Sequence, residues 1–422
     1  MYKKHQLNNG LKIIASSMPH MNSVSLGIWI GVGGRNESVR ESGISHLIEH
    51  MLFKGTLKRS ARELKESVEG IGGSLNGFTA DEATCYMVKV PAHRLELGLD
   101  ILTDMVFNAR FDKEDIEREK FVVLEEIKMY KDQPSERVME LLAETMWPDN
   151  ALGRSLTGTV ANVKSFKKDK MIKFKEDNYH PANMAVIAAG KLVPKEVIEY
   201  VSKSFKGGRR RKASVEVPDV KQKCFRTRFS QGDTSQAHLA VGFPTVAENI
   251  RERFAIKLMS VILGGNMSSR LFEELREKHG LCYDIGSNYK RHRDVGEFVI
   301  HAGVDNKKAL RSVVAILDEL RKIRDVGVTA DELSRAKEFA KGQFQLALEN
   351  TSARMMWFGD RLMLDGNIPS QESVLKEVDS VTVDDIRKVC EKIFKARLVN
   401  FAMVGKADAT DKNKIKKAIG TL

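Results

Sequence analysis

The sequence predicts an α+β protein of two homologous halves, each a mostly antiparallel sheet with helices packed on one face. Three observations favour this class. Strand-like stretches precede helical stretches in each half, the apolar patterns of the halves repeat, and a glycine- and charge-rich segment separates them near the midpoint. At 422 residues the chain is also too long for a single compact core.

The halves are predicted as residues 1–205 and 223–422, joined by a linker at 206–222. The linker contains two glycines, one proline and a run of basic residues. The apolar positions of segment 95–105 recur 215 residues later, at 310–320, which indicates an internal duplication. The strand-like stretches that open the halves are 11–14 and 23–26 in the first and 238–241 in the second.

Composition is that of an ordinary globular protein, with 42% hydrophobic and 30% charged residues. No apolar run approaches the roughly 20 residues that span a bilayer, and the first residues lack the apolar core of a secretory signal. We therefore expect a cytoplasmic protein with no membrane partner. Four widely spaced cysteines without C-x-x-C spacing argue against a disulfide scaffold or a thiolate zinc site.

The net charge of +12 is spread thinly along the chain. Its one dense cluster, at 209–212, is either a solvated part of the linker or a polyanion-binding patch. The sequence contains no helix-turn-helix, zinc-knuckle or aromatic–basic pattern, so we expect no nucleic-acid partner.

Residues 44–52 carry the first chemical signal. On a helix, their apolar side chains form one stripe, and His46, Glu49 and His50 gather on the opposite face. Two imidazoles four residues apart can share a tetrahedral zinc ion, and the adjacent carboxylate can act as a general base. This is the H-x-x-E-H arrangement. The alternative is a solvated helix face with two unrelated histidines.

A catalytic zinc ion usually needs a third protein ligand, and Glu126 is the candidate. Glu126 and Glu119 are seven residues apart in a helical segment at 112–131 and point almost the same way. The apolar residues that flank this direction on both sides are Val122, Val123, Met129 and Tyr130. Two carboxylates in an apolar stripe are costly to bury without a cation. The alternative is a helix rotated so that both glutamates reach water.

The second half lacks an equivalent ligand set. His46, Glu49 and His50 correspond in that order to Lys257, Ser260 and Val261. Glu126 corresponds to Gln343. We therefore expect metal binding in the first half alone.

Taken together, these residues resemble the pitrilysin-type (inverzincin, M16) zinc metallopeptidases, and within them the mitochondrial-processing-peptidase-like subfamily. The resemblance extends over nearly the whole chain. It rests on segments 46–56, 76–79, 152–158 and 269–278 and on the helix with Glu119 and Glu126.

The resemblance implies one Zn²⁺ per chain, bound by His46, His50 and Glu126. It implies that Glu49 is the general base and that Glu119 supports the ligands from outside the coordination sphere. The expected fold is that of the family.

The segment 76–79 resembles the edge strand with which this family binds an extended peptide. Asn76 is expected to support the metal site, and Gly77, Phe78 and Thr79 to bind substrate. The alternative is a plain turn that leads into a strand.

Arg276 and Tyr283 match a pair that helps to bind substrate and polarise the scissile carbonyl in this family. The chain has a single pair of halves, so the resemblance implies a homodimer around a closed chamber, with the pair acting in trans. Glu136 and Glu140 lie where processing peptidases recognise a basic residue of the substrate. From the residues alone, the pair could be structural and the two glutamates could be surface charges.

The sequence therefore predicts a zinc-dependent endopeptidase that cleaves unfolded or extended peptides, including processing-type cleavage, by Glu49-assisted attack of an activated water molecule. The alternative is a non-catalytic scaffold subunit with the same fold, similar to the core proteins of respiratory complexes.

Overall fold

The computed structural model describes residues 2–205, 222–232, 234–246 and 249–422. Of the predicted linker 206–222, only Gln222 is described. The rest of that linker, with the basic cluster at 209–212, lies outside the described residues.

The first half of the chain contains six strands and eight α-helices within its described part. The strands are β1 (Tyr2–Gln6), β2 (Lys12–Ser17), β3 (Ser23–Ile30), β4 (Ser74–Thr79), β5 (Thr84–Pro91) and β6 (Met184–Gly190). The helices are α1 (Ile44–Leu52), α2 (Ala61–Glu69), α3 (Leu95–Asn108), α4 (Lys113–Asp132), α5 (Pro134–Met146), α6 (Val160–Ser165), α7 (Lys168–Asn178) and α8 (Pro194–Ser204).

The described part of the second half contains five strands and seven α-helices. The strands are β7 (Arg226–Ser230), β8 (Gln236–Thr245), β9 (Cys282–Arg291), β10 (Gly296–Asp305) and β11 (Asn400–Val404). The helices are α9 (Ile250–Gly264), α10 (Ala309–Asp325), α11 (Ala330–Ala347), α12 (Thr351–Asp365), α13 (Gln371–Ser380), α14 (Val383–Ile393) and α15 (Ala409–Ile419). A π-helix over Phe272–Lys278 precedes β9.

Several helices begin directly after a capping side chain, among them α2, α9 and α14. Ser60 before α2 and Thr382 before α14 each accept a hydrogen bond from a backbone N–H of the first turn. The acidic side chain three residues later accepts one from the backbone N–H of the capping residue. Asn249 caps α9 through Glu252 N–H.

The first sheet has the strand order β1-β2-β6-β3-β5-β4. Strands β2 and β6 run parallel, and the other neighbours are antiparallel. Strand β4 is last in this order, so within the described residues its outer backbone edge has no strand neighbour.

The second sheet repeats this topology. Its order is β7-β11-β8-β10-β9, which matches β2-β6-β3-β5-β4 strand for strand. The parallel pair also recurs, as β11 with β7. The repeated order agrees with the duplication that the apolar pattern predicted, and the α+β fold class is confirmed.

Each sheet packs one face against several helices of its own half. In the first unit, Ile13 and Leu26 of the sheet join one buried cluster with Leu47 of α1 and Leu99 of α3. In the second, Phe243 of the sheet joins Met259, Leu317 and Phe394.

The opposite face of each sheet is covered by one helix from the other half of the chain. Helix α12 packs on β3 and β6, and helix α5 packs on β11 and β8. The first compact unit therefore includes Gln345–Ile368, and the second includes Met129–Gly153.

The predicted boundaries therefore differ from the compact units. Neither 1–205 nor 223–422 is compact by itself, because each unit includes a helix from the other half. The physical reason for this exchange is that both faces of each sheet are apolar. Trp29 and Ile187 on the first sheet and Val299 on the second are buried by the exchanged helices.

Two glycines allow this close packing. A Cβ atom on Gly27 of β3 would lie 2.6 Å from Met355 Sδ of α12, and one on Gly242 of β8 would lie 2.4 Å from Met146 Cε of α5. The two glycines are 215 positions apart, the offset at which the apolar pattern repeats. Among the described residues, no helix is both long and apolar enough to cross a membrane.

Candidate metal centre

Helix α1 presents the predicted H-x-x-E-H residues. Ile44, Leu47, Ile48, Met51 and Leu52 are buried, as the predicted apolar stripe requires. His46, Glu49 and His50 lie on the other face and remain partly exposed.

The start of α1 is held by a buried carboxylate that the sequence analysis did not single out. Glu37 accepts hydrogen bonds from the backbone N–H groups of Gly43 and Ser45, both at 2.8 Å. These groups would otherwise lack partners at the helix start. Burial raises the pKa of the Glu37 carboxyl to about 7, although these hydrogen bonds and the charge of Arg154 oppose the shift. Gly43 has a φ of 94°, a conformation that glycine adopts readily.

The three predicted ligands converge. Glu126 Oε2 lies 3.7 Å from His46 Nε2 and 3.8 Å from His50 Nε2. One ligand atom from each residue lies within 4.8 Å of the others. Ligand atoms of a tetrahedral zinc ion at 2.0–2.1 Å are about 3.3 Å apart, so a small inward adjustment would suit this ion. Within the described chain, these residues form the single such group of three.

The chemistry of Glu126 also fits a cation. Its Oε2 atom is buried and makes no hydrogen bond within the described residues. A buried carboxylate oxygen without a donor is unfavourable unless a cation approaches it. The residues present therefore fit a zinc ion in donor type, separation and charge.

Glu119 contacts one of the predicted ligands, His50. Its Oε2 lies 3.0 Å from His50 Nδ1, and its Oε1 lies 2.7 Å from Lys54 Nζ. A proton on Nδ1 leaves the Nε2 lone pair free for a metal. Burial opposes ionisation of Glu119, but hydrogen bonds from His50 and Lys54 outweigh it and lower the pKa of that carboxyl.

The two histidines differ in their electrostatic surroundings. Burial, helped by the neighbouring His50, lowers the pKa of His46 to about 4, so His46 is neutral at pH 7 and available as a ligand. Burial also disfavours the charged form of His50, but the hydrogen bond to Glu119 and nearby carboxylates raise its pKa above the usual value.

Glu49 is fixed by a contact that the sequence did not reveal. The Thr79 hydroxyl at the end of β4 donates a hydrogen bond of 2.8 Å to Glu49 Oε2. Burial raises the pKa of the Glu49 carboxyl, and this hydrogen bond and the charge of His50 partly oppose the shift.

The other residues of β4 lie along the sheet edge. Gly77 faces α1, since a Cβ atom there would lie 3.1 Å from the Phe53 ring. Asn76 and Phe78 alternate to the other face, where Phe78 packs edge-on against Trp29 at 5.5 Å. Asn76 Oδ1 accepts a hydrogen bond from Gly77 N–H. Within the described residues, Asn76 makes no hydrogen bond to the three ligand residues, so its predicted supporting role stays a prediction.

The remaining predicted residues belong to the second compact unit. Arg276 lies in the π-helix Phe272–Lys278, with its guanidinium 4.7 Å from the Phe272 ring and 5.0 Å from the Tyr283 ring. Tyr283 is 76% exposed. Arg276 and Tyr283 therefore contact each other through a cation–π interaction, and their predicted role toward substrate stays a prediction.

Glu136 and Glu140 lie one turn apart on α5, as the spacing predicted. Glu140 Oε2 lies 3.1 Å from the Arg137 guanidinium, which also reaches Glu144. Glu136 is exposed. An arginine of the chain itself thus already neutralises one of the two predicted acidic groups.

Lys54 and Glu37 are the site residues that the sequence analysis missed. Lys54 follows His50 by four residues, and this spacing is the signal that could have found it, although α1 itself ends at Leu52. Glu37 lies in the turns before α1, and no local pattern marks it as a cap.

Sequence comparisons agree with this geometry. The family description "Insulinase (Peptidase family M16)" matches residues 12–160, and "Peptidase M16 inactive domain" matches residues 165–339. An uncharacterized zinc protease of Streptomyces coelicolor is 35% identical, over 94% of this chain and 88% of the relative. One of Bacillus subtilis is 34% identical, over 93% of this chain and 96% of the relative.

Solved structures share the fold at lower identity. A protease from Helicobacter pylori has a TM-score of 0.89 and 23% identity, covering 96% of this chain and 99% of that chain. A chain of complex III2 from Candida albicans has a TM-score of 0.84 and 16% identity, covering 98% and 99%. The predicted mitochondrial-processing-peptidase-like subfamily stays a prediction. Since the family matches cover most of the chain and close relatives span nearly its whole length, the chain belongs to peptidase family M16, the insulinase family.

Proposed function

We propose that the chain is a zinc-dependent endopeptidase that cleaves unfolded or extended peptides. The observation that carries the proposal is the convergence of His46, His50 and Glu126 beside Glu49. The relatives in Streptomyces coelicolor and Bacillus subtilis are named zinc proteases, which supports the choice of metal.

The three ligand residues would hold one Zn²⁺ per chain, with His50 kept in the required tautomer by Glu119. A zinc ion supplies Lewis acidity, which polarises a carbonyl and acidifies a water molecule. Glu49 accepts the proton of the attacking water and then delivers it to the leaving amine. Its partial burial and raised pKa suit both steps.

The β4 edge supports the proposed preference for extended substrates. Its outer backbone groups can pair with a peptide that adds as a further strand. Glycine at position 77 lets β4 lie close to Phe53, since a Cβ atom there would be 3.1 Å from the ring. A helical segment, or a strand already paired on both sides, has no free backbone groups for such pairing, so we expect substrates to be extended at the cut.

The direct test is Glu49→Gln, measured with an unstructured fluorogenic peptide. We expect normal zinc content, because Glu49 is not a ligand, and loss of turnover by about 10²–10⁴-fold, the usual contribution of a general base. Retained turnover would exclude Glu49 as the base. Absence of zinc-dependent cleavage by the unmodified chain would refute the function itself.

The homodimer is part of the proposal. Two chains would enclose the chamber, with Arg276 and Tyr283 acting at the partner's zinc site. Inactive Glu49→Gln and Arg276→Ala chains should then complement each other, because each mixed dimer has one intact site. Random pairing gives about a quarter of the unmodified activity. No recovery despite proven subunit exchange would mean that Arg276 acts in cis or not at all.

Processing-type specificity rests on Glu136 and Glu140. Because Arg137 already pairs with Glu140, we expect Glu136 to contribute more to selection of a basic residue. Glu136→Gln should lower kcat/KM for arginine-containing peptides more than for matched norleucine peptides. Equal effects on both would argue against the pocket.

A second candidate is a non-catalytic scaffold subunit, favoured by the fold shared with a chain of complex III2 from Candida albicans. The complete ligand trio argues against it. Zinc content of the purified protein distinguishes the two, since a scaffold without metal chemistry has no need of bound zinc.

A further inference from the structure

The hydrogen bond between Thr79 and Glu49 joins the predicted substrate-binding strand to the predicted general base. The donor and acceptor are 2.8 Å apart, and the residues are 30 positions apart in the chain. Within the described residues, no other side chain hydrogen-bonds to the Glu49 carboxylate.

Both partners sit on rigid elements. Glu49 projects from α1, whose neighbouring Ile48 and Leu52 are fully buried. Thr79 is the last residue of β4 and pairs with Thr84 of β5, just before a turn closed by a hydrogen bond from Ala80 N–H to the Ala83 carbonyl. The backbone of Thr79 is therefore held on both sides.

The choice of threonine strengthens this arrangement. A β-branched side chain has few χ1 rotamers, so the hydroxyl direction is largely set by the strand. The glutamate side chain has several rotatable bonds, and it lies near the like charge of Glu126, which favours turning away. The Thr79 hydroxyl, fixed on Glu49 Oε2, limits the alternative rotamers of the Glu49 side chain. The other oxygen, Oε1, then remains available to accept a proton.

We infer that Thr79 is a positioning residue for the reaction, and that its hydroxyl holds the Glu49 carboxylate in the orientation that accepts the proton of the attacking water. This inference rests on the proposed function. It differs from the substrate-binding role predicted for Thr79, because the hydroxyl is engaged with Glu49 before any substrate arrives.

The test compares Thr79→Val, which keeps the shape and removes the donor, with Thr79→Ser, which keeps the donor. Thr79→Val should lower kcat by about 10- to 100-fold, within the usual contribution of a general base, and leave KM within about threefold. Thr79→Ser should retain kcat within about fivefold, since only rotamer restriction is lost.

Thr84→Val is the matched control. It removes the hydroxyl of the facing residue on β5, which donates to the Val32 carbonyl at 2.8 Å and not to Glu49. Its kcat should stay within about threefold of the unmodified chain, provided that folding is intact by circular dichroism.

Two further measurements separate positioning from general damage. Zinc affinity of Thr79→Val, from chelator competition, should equal that of the unmodified chain. In a Glu49→Gln background, Thr79→Val should lower kcat by less than about twofold, because the group it positions is gone. A crystal structure of Thr79→Val should show the Glu49 side chain turned from its original rotamer.

Other outcomes would overturn the inference. A raised KM with unchanged kcat in Thr79→Val would indicate that Thr79 binds substrate and does not position Glu49. An equal decrease of kcat in Thr79→Val and Thr79→Ser, or an unchanged kcat in Thr79→Val, would show that the hydroxyl does not position Glu49. An unmodified chain that cleaves no peptide with zinc bound would instead refute the proposed function, so the two failures are distinguishable.

Discussion

Replacing Glu119 with glutamine should weaken zinc binding without removing any ligand. The Glu119 carboxylate accepts from His50 Nδ1 at 3.0 Å and is 6% exposed. A hydrogen bond to a charged group is worth about 1.5–3 kcal/mol and a neutral one about 0.5–1.5 kcal/mol. Glu119→Gln removes the charge but keeps an acceptor for His50, so it should weaken this hydrogen bond by about 1–1.5 kcal/mol. The zinc affinity should therefore fall about tenfold.

The assay is competition for zinc against a chromogenic chelator at fixed pH and ionic strength. Lys54 loses its partner in this variant, but its side chain is 30% exposed and can reach water. The matched control is Glu125→Gln on the same helix, where the glutamate is 49% exposed and pairs with Lys128. Such a surface pair contributes little, so zinc affinity should not change. Unchanged affinity in Glu119→Gln, or an equal loss in Glu125→Gln, would refute the proposed orientation of His50.

Three further predictions concern stability and are measured by urea denaturation. Gly359→Ala should destabilise the chain by about 1–3 kcal/mol, because its Cβ would lie 2.0 Å from the Trp29 ring. A Cβ atom at Gly342 on α11 would have no atom within 4 Å, so Gly342→Ala should be neutral or stabilising by up to about 1 kcal/mol. Equal changes in stability for Gly359→Ala and Gly342→Ala would contradict the packing of α12. The Glu332 carboxylate receives two hydrogen bonds from Arg270, the largest cause that lowers its pKa to about 2. Glu332→Gln should therefore lower the free energy of unfolding by about 1–2 kcal/mol above pH 5. The difference in stability from the unmodified chain should shrink as pH falls from 4.5 towards 2, because the carboxylate becomes protonated. A difference that grows in acid would contradict this prediction.

The site on α1 was predictable because its signal is local. Helical periodicity alone separates the buried stripe from His46, Glu49 and His50, and the structure has this division. The sheet order could not be read from the sequence, but the repeated apolar pattern indicated two similar units.

Helix α4 shows where periodicity becomes ambiguous. The sequence analysis grouped Val122 and Met129 with the apolar stripe around Glu126, but their side chains are 40% and 44% exposed. Val123, which belongs to the same predicted group, is buried, and so is Ile127. A helix with apolar residues on more than one side does not define which side faces the core until its neighbours are known.

The exchange of α5 and α12 was not predictable for a different reason. An amphipathic helix needs an apolar surface, but its sequence does not say which sheet provides one. Gly27 and Gly242 mark the contact positions, yet each reads locally as an unremarkable strand glycine. The Thr79–Glu49 and Glu37–Ser45 contacts likewise depend on tertiary structure.

The most direct test of the metal site is a crystal structure with anomalous diffraction recorded on both sides of the zinc absorption edge. We predict one zinc peak per chain, within about 2.0–2.2 Å of His46 Nε2, His50 Nε2 and a Glu126 oxygen. Glu126→Gln should lower the occupancy of this peak. A zinc ion bound elsewhere, or a fully loaded protein whose Glu126 carboxylate stays away from the ion, would contradict the account.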